Sequence, residues 1–232
     1  DGLGAAPKNA GNAVVLAQPE SLISYWATSP RTYLIASGEA VGLPQNVKGN
    51  SEVGHLNIGS GRTVYQSLPR INNSIAKGQL PQNNTLREAY AHAYKYGSNV
   101  HLVGLLSDGG VHSHIDHFKA IVDYFSQLNF PNHLYIHAFT DGRDTPPNSS
   151  LSYLSEMDRY CLDRGMGIIA TTIGRYYGMD RNNKWDRTEL AYNLLVNGIG
   201  TEFPTCQNAI EDSYSQNITD ELVGPAVINK GR

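Results

Sequence analysis

The chain has 232 residues, 40% of them hydrophobic, a length for one large domain or two small ones and an apolar share that excludes global disorder. Eighteen Lys and Arg against 21 Asp and Glu give a formal charge of −3, which excludes a general electrostatic attraction to nucleic acid or an anionic membrane. Two cysteines, Cys161 and Cys206, are too few for a disulfide framework, and no apolar run approaches the roughly 18 residues of a membrane span.

No basic stretch followed by an apolar one opens the sequence, so a cytoplasmic protein is expected. Asp1 stands where a methionine would, and the last residues, Asn229-Lys230-Gly231-Arg232, carry no structural stop signal. A processed chain or a piece of a longer one is the expectation.

Residues 1–65 read as mostly loop. Pro19-Glu20 suits the first turn of a helix over Ser21 to Trp26, and Thr32 to Ala36 is rich in strand formers. Gly38, Gly42, Gly49, Gly54, Gly59 and Gly61 then punctuate a stretch without periodicity, and loops of that length are usually functional. From about residue 66 the texture becomes regular. Leu86 to Tyr96 is helical by pattern, and Val100 to Leu106 is a continuous apolar strand. Ile115, Phe118, Ile121, Val122 and Phe125 share one helix face. Leu134 to Phe139 and Ile168 to Ile173 are strands; Leu151 to Arg164 and Lys184 to Asn197 are helices, the last closed by Gly198. This alternation predicts an α/β domain with a parallel sheet, its strands apolar on both faces and its helices on both sides.

Ligands of open parallel sheets bind beyond the carboxyl ends of the strands. There the sequence places Ser107 to His114, Asp141 to Pro147 and Gly174 to Arg181. Arg143, Arg175 and Arg181 are forked donors suited to phosphate or carboxylate, and together they predict an anion pocket. The plain alternative is that each is a surface ion-pair residue, with Asp141, Asp144 and Asp180 nearby as partners. His112, His114 and His117 have the types for a zinc site, yet Ser113 to Asp116 reads as a helix opening with Ser113 as N-cap. That register leaves His112 in the loop before the helix, as a candidate anion ligand. Gly49-Asn50-Ser51-Glu52-Val53-Gly54-His55 is a candidate nucleophile loop. Its second glycine falls one residue late for a nucleophile elbow, and Ser51 needs a base or a metal to be activated. One short loop is not expected to fold His55 back as that base. Asp1-Gly2-Leu3-Gly4 has the form of a strand end presenting a carboxylate to a metal.

Taken together, Gly49 to Gly59, Ser107 to His114, Asp141 to Pro147 and Gly174 to Arg187 resemble the cofactor-independent (2,3-bisphosphoglycerate-independent) phosphoglycerate mutases in order and spacing. That resemblance extends over essentially the whole chain. It implies an alkaline-phosphatase-like domain, here partial and spanning 1–65, with an inserted α/β phosphotransferase domain from 66 to 232 that lacks its C-terminal end. It implies two divalent metal ions, usually manganese, with Asp1 and Ser51 among their ligands, and Ser51 as the transiently phosphorylated nucleophile. His112, Arg143, Asp144, Arg175 and Arg181 match substrate-binding positions, the substrate being phosphoglycerate and the product its 2- or 3-phospho isomer. A glycolytic monomer, without nucleic-acid or membrane partners, is expected.

The family's later metal ligands, its Phe-Arg-Pro-Asp-Arg motif and a later lysine have no counterpart in this sequence. A fragment without mutase turnover of its own is therefore expected. Two other classes stay open at this point: another alkaline-phosphatase relative, such as a phosphatase or phosphopentomutase, and a non-catalytic anion-binding module formed by 66–232.

Overall fold

A computed structural model of the chain describes Gly4, residues 6–45 and residues 47–229. It packs as two units, Asp1–Arg70 and Ile71–Arg232.

The first unit contains α1 (Ala13–Leu16), α2 (Glu20–Thr28) and α3 (Ser51–Ser60); α4 (Ser67–Ala76) holds the division between the units. Its buried apolar cluster is small: Val41, Leu43 and Val53. Two expectations are corrected here. Thr32 to Ala36 forms no strand, and Tyr33, Leu34 and Ile35 are exposed by 73%, 76% and 71%. Strand propensity needs a neighbouring strand, and among the described residues of this unit the only pairing nearby is the single bridge Ser37–Lys48. The supposed loop around Ser51 is instead a ten-residue helix. Asn50 caps it, its Oδ1 accepting from Val53 N at 2.9 Å, and Gly61 closes it in the left-handed region. Gly54 and Gly59 inside the helix disguise its period. Asn57 then rivets α3 down, donating to Val41 O and accepting from Val64 N.

The second unit begins with α5 (Asn84–Tyr96) and alternates: β1 (Val100–Leu105), α6 (Ile115–Gln127), β2 (Leu134–Thr140), α7 (Ser150–Arg164), β3 (Ile168–Gly174). It continues with the short α8 (Arg175–Gly178), α9 (Trp185–Asn197), β4 (Thr201–Phe203), α10 (Cys206–Ser215), a 3₁₀ turn (Asp220–Leu222) and β5 (Ala226–Ile228). The fold class is α/β as expected, but the sheet is mixed. Its order is β1-β2-β3-β5-β4; the first three strands are parallel, whereas β5 runs antiparallel to β3 and β4 follows β5. The reversal follows from the turn before it. Gly174 N donates to Val223 O at 2.7 Å at the carboxyl end of β3, so the chain can only run back along that strand. At three residues each, β4 and β5 are too short to show an apolar period.

Two layers enclose the sheet. Leu134, Ile136 and Ala138 of β2 point into a cluster with Phe118, Val122 and Phe125 of α6, Leu154 and Met157 of α7, and Ile210 of α10. Leu105, Phe139 and Ile173 point the other way, against Ala191 and Leu194 of α9. A register shift between Ile136 and His137 lets Ile169 share the first face while Thr171 and Ile173 share the second. β1 departs from the expectation of burial on both faces: as an edge strand it alternates, and Val103 is 48% exposed. Beside it a polar row crosses three strands. His101 Nδ1 lies 2.9 Å from His137 Nε2, and His137 Nδ1 lies 2.8 Å from Thr171 Oγ1.

Ile136 is fully buried in the central core, so Ile136→Ala is expected to lower unfolding free energy by about 2–5 kcal/mol in denaturant titrations. A loss under about 1 kcal/mol would mean the layer around β2 is not packed as described. Burial, and secondarily His101, push the His137 pKa down from 6.5 to about 4. The neutral form is thus favoured in the folded state, and the unfolded chain binds the extra proton. Stability is present above pH 6.5 and should fall on the order of 2–3 kcal/mol towards pH 4. Under the same acidification His137→Gln should lose less; an equal loss in both proteins would contradict this.

Candidate functional site

The carboxyl ends of β1, β2 and β3 meet around one buried carboxylate. Asp141 follows β2 directly and is fully buried. Its Oδ2 accepts from Ser107 Oγ, at the end of β1, at 2.6 Å. Its Oδ1 accepts from the backbone N–H groups of Arg143 (3.2 Å) and Asp144 (2.9 Å), the Asx-turn geometry an Asp-Gly pair favours. From the end of β3, Arg175 Nη1 donates to the same Oδ1 at 2.7 Å and to Asp144 Oδ2 at 2.6 Å. Burial alone would raise the Asp141 carboxyl, but the bonds from Ser107, Asp144 N, Arg175 and Arg143 N outweigh it and hold it below the ordinary range. For Arg175, burial works against the charge, and the Asp144 and Asp141 carboxylates more than restore it.

The loop after β1 reaches the same point. His112 Nε2 stands 3.8 Å from Asp144 Oδ2. Tyr153 of α7 anchors that loop through a 2.5 Å bond to Asp108 Oδ1; burial and this bond push the Tyr153 hydroxyl up to about 12. The α6 cap differs from the expected one. Ser113 Oγ donates to Leu105 O instead, and His114 is the N-cap, its Nδ1 accepting from Asp116 N. His117 turns to Asn72, 2.6 Å away. The three histidines are thereby separately engaged, and no cluster of three metal-ligating His, Cys, Asp or Glu side chains occurs among the described residues.

Arg143 and Arg181 are placed differently from Arg175. Arg143 is 58% exposed and reaches Glu221 Oε1 at 3.6 Å. Arg181 is exposed and makes no ion pair among the described residues, because its neighbour Asp180 is taken by Arg187. Arg187 also stacks on Tyr176, 3.8 Å from the ring centroid. The structure thus gathers His112, Asp144 and Arg175, with Arg143 in the same loop and Arg181 beyond α8. Such a set can receive an anion on cationic donors while Asp144 accepts a bond from a ligand hydroxyl.

Sequence reasoning missed the support beneath this set. Asp141 was visible only as a neighbour, although an Asp-Gly pair after an apolar strand is an Asx-turn signal. Asp220 carried no local signal. Fully buried, it accepts from Ser149 N and Ser150 N at the start of α7 and from Tyr214, while its backbone O accepts from Thr140 Oγ1. Gly142 (φ +69°) and Gly174 press on this turn: a Cβ would stand 2.8 Å from Asp220 Cβ and 2.3 Å from Glu221 O respectively. Only glycine fits either place.

Ser51 belongs to the first unit, as the first residue of α3. Its Oγ is 3.1 Å from His55 Nδ1, but the same Nδ1 lies 2.7 Å from Ser51 O. A carbonyl oxygen only accepts, so that nitrogen must carry the proton and is not available to take one from Ser51. The helix does what one short loop was not expected to do, yet the contact is not that of a base. Asp1 lies outside the described residues.

Comparison with known proteins shows the family of the chain. The family described as BPG-independent PGAM N-terminus matches residues 71–232. The 2,3-bisphosphoglycerate-independent phosphoglycerate mutases of Clostridium beijerinckii and Moorella thermoacetica are 50% and 48% identical over 230 residues, which is 99% of this chain and 45% of theirs. A crystal structure of Leishmania mexicana phosphoglycerate mutase at low cobalt concentration superimposes with a TM-score of 0.75 at 30% identity, covering 98% of this chain and 43% of that one. The chain spans about half the length of the curated relatives it matches. With its order of strands and its strand-end loops, the chain belongs to the BPG-independent phosphoglycerate mutase family.

Proposed function

We propose that the chain serves the interconversion of 3-phosphoglycerate and 2-phosphoglycerate through a phosphoserine at Ser51, in the cytoplasm and as a monomer. Residues 66–232 would be the phosphotransferase domain and 1–65 the start of an alkaline-phosphatase-like domain. The observation that carries this reading is the meeting of His112, Asp144 and Arg175 at three adjacent strand ends, in a chain about half identical to named mutases.

Both hydrogen bonds of Arg175 leave from Nη1, so Nε and Nη2 are left for a ligand. Arg181 adds a cation without a partner among the described residues, and Arg143 one that must exchange Glu221 for the ligand. Asp144 would accept from a glycerate hydroxyl and so fix which hydroxyl faces the phosphoryl group. In the forward step Ser51 Oγ bonds to phosphorus as the phosphorus–oxygen bond of the substrate breaks, and the leaving alkoxide takes up the serine proton. The other hydroxyl then takes the phosphoryl back and returns a proton to Ser51. The position of Ser51 suits the intermediate: at the first turn of a ten-residue helix, unpaired backbone N–H groups favour a phosphate dianion.

Divalent-metal dependence, with manganese as the metal and Asp1 and Ser51 as ligands, belongs to the same reading. The described residues offer Ser51 alone and do not by themselves fit a metal pair.

Titration of the chain with 3-phosphoglycerate by calorimetry tests the pocket. Arg181→Ala removes an exposed cation that has no ion-pair partner among the described residues and should weaken binding roughly tenfold, and Arg175→Ala more. Arg164→Ala, which removes surface contacts with Asp123 and Tyr160 and none with the strand-end loops, should leave binding unchanged. Equal binding in wild type and both pocket variants would refute the proposed site.

A further inference from the structure

We propose that Asp141 is a positioning residue for this pocket: it sets Arg175 and the Arg143–Asp144 backbone in the arrangement the ligand meets, without touching the ligand. The inference rests on the reading of the site as a phosphoglycerate pocket. Asp141 is fully buried and receives four donors, from Ser107, Arg143 N, Asp144 N and Arg175. Three of these donors crowd Oδ1 and Ser107 covers Oδ2, and with its side chain only 1% exposed the carboxylate is out of reach of a ligand hydroxyl. Asp144, by contrast, has a side chain 21% exposed and can accept from one.

The charge of Asp141 makes its role decidable. A negative charge close to an anion site repels the anion through space, so neutralising it should tighten binding if field were all that mattered. If direction matters more, neutralising it weakens binding, because a neutral amide oxygen holds Arg175 less firmly than a carboxylate and leaves Asp144 as its one charged partner in the cluster. Geometry favours the second outcome. Arg175 uses one nitrogen for both carboxylates, so the plane of its guanidinium, and with it the direction of Nε and Nη2, is fixed by having two charged acceptors rather than one. Ser107 in turn fixes Asp141 from the neighbouring strand end.

Asp141→Asn isolates the charge. The amide oxygen can still accept from the two backbone N–H groups and Arg175, and its NH₂ can face Ser107 Oγ, which turns to accept. Two readouts on the 232-residue chain decide the matter. By calorimetry, Asp141→Asn should bind 3-phosphoglycerate about tenfold more weakly, while inorganic phosphate, which needs no common orientation of several donors, should change by less than about threefold. By NMR, the Arg175 guanidinium should show restricted rotation in the wild type and averaged resonances in Asp141→Asn. Ser107→Ala should move both readouts the same way by less, and it carries the test if Asp141→Asn does not fold. Unchanged or tighter binding of 3-phosphoglycerate, an equal loss for phosphate, or an unchanged Arg175 signature overturns the proposal. Absence of any binding by the wild type would instead refute the substrate reading, and the NMR readout would still decide whether Asp141 positions Arg175.

Discussion

The second unit depends on one buried ion cluster, Arg175 between Asp141 and Asp144. Removing such groups from water costs several kcal/mol for each ion, and the mutual attraction offsets this only with good geometry and further hydrogen bonds. Both are present: contacts of 2.7 and 2.6 Å to Arg175, with Ser107 and two backbone amides completing Asp141. A cluster of this kind contributes little net stability compared with a packed apolar core. Its effect is directional. It ties the ends of β1, β2 and β3 to one another through side chains, where the backbone ladder of the sheet has already ended.

The rest of the sheet is arranged to permit this. The bulge in the β2–β3 pairing sends Ile169 and Ile173 to opposite faces, so helices can cover both sides and the loops are left at one edge. The Asp220–Leu222 turn then closes that edge. Its carboxylate caps α7 from seventy positions away in sequence, and its backbone lies against Gly142 and Gly174. The turn that reverses the chain for β5 is thus also the floor of the Arg143–Asp144 loop. Fold and site share the same residues there, and a substitution at Gly142 or Gly174 would disturb both.

Much of this was legible from the sequence, for reasons that differ by element. The helices α5, α6, α7 and α9 and the strands β2 and β3 are long enough for period and capping glycines to show. The three-residue β4 and β5 are not, and neither hydropathy nor turn signals betray that they run against β3. In the first unit the helix of Ser51 was hidden by its own glycines, while the apolar Thr32–Ala36 run misled because a strand is a property of pairs. In the site, cationic residues at strand ends were readable as types and positions. Their inequality was not: Arg175 is buried and doubly paired, Arg143 half committed to Glu221, and Arg181 alone among the described residues. Those differences come from Asp141, Asp220 and Glu221, whose partners lie in distant segments.

In the proposed function the strand-end loops of the second unit form one ligand pocket around Asp141 and Arg175. Backbone amide shifts recorded while 3-phosphoglycerate is added to the chain test it most directly. The largest changes, saturating with a single constant, are expected in residues 107–114, 141–147 and 174–181. Changes centred instead on the groove lined by Arg87, Tyr90, Tyr124 and Leu128 between α5 and α6, or scattered without saturation, would contradict it.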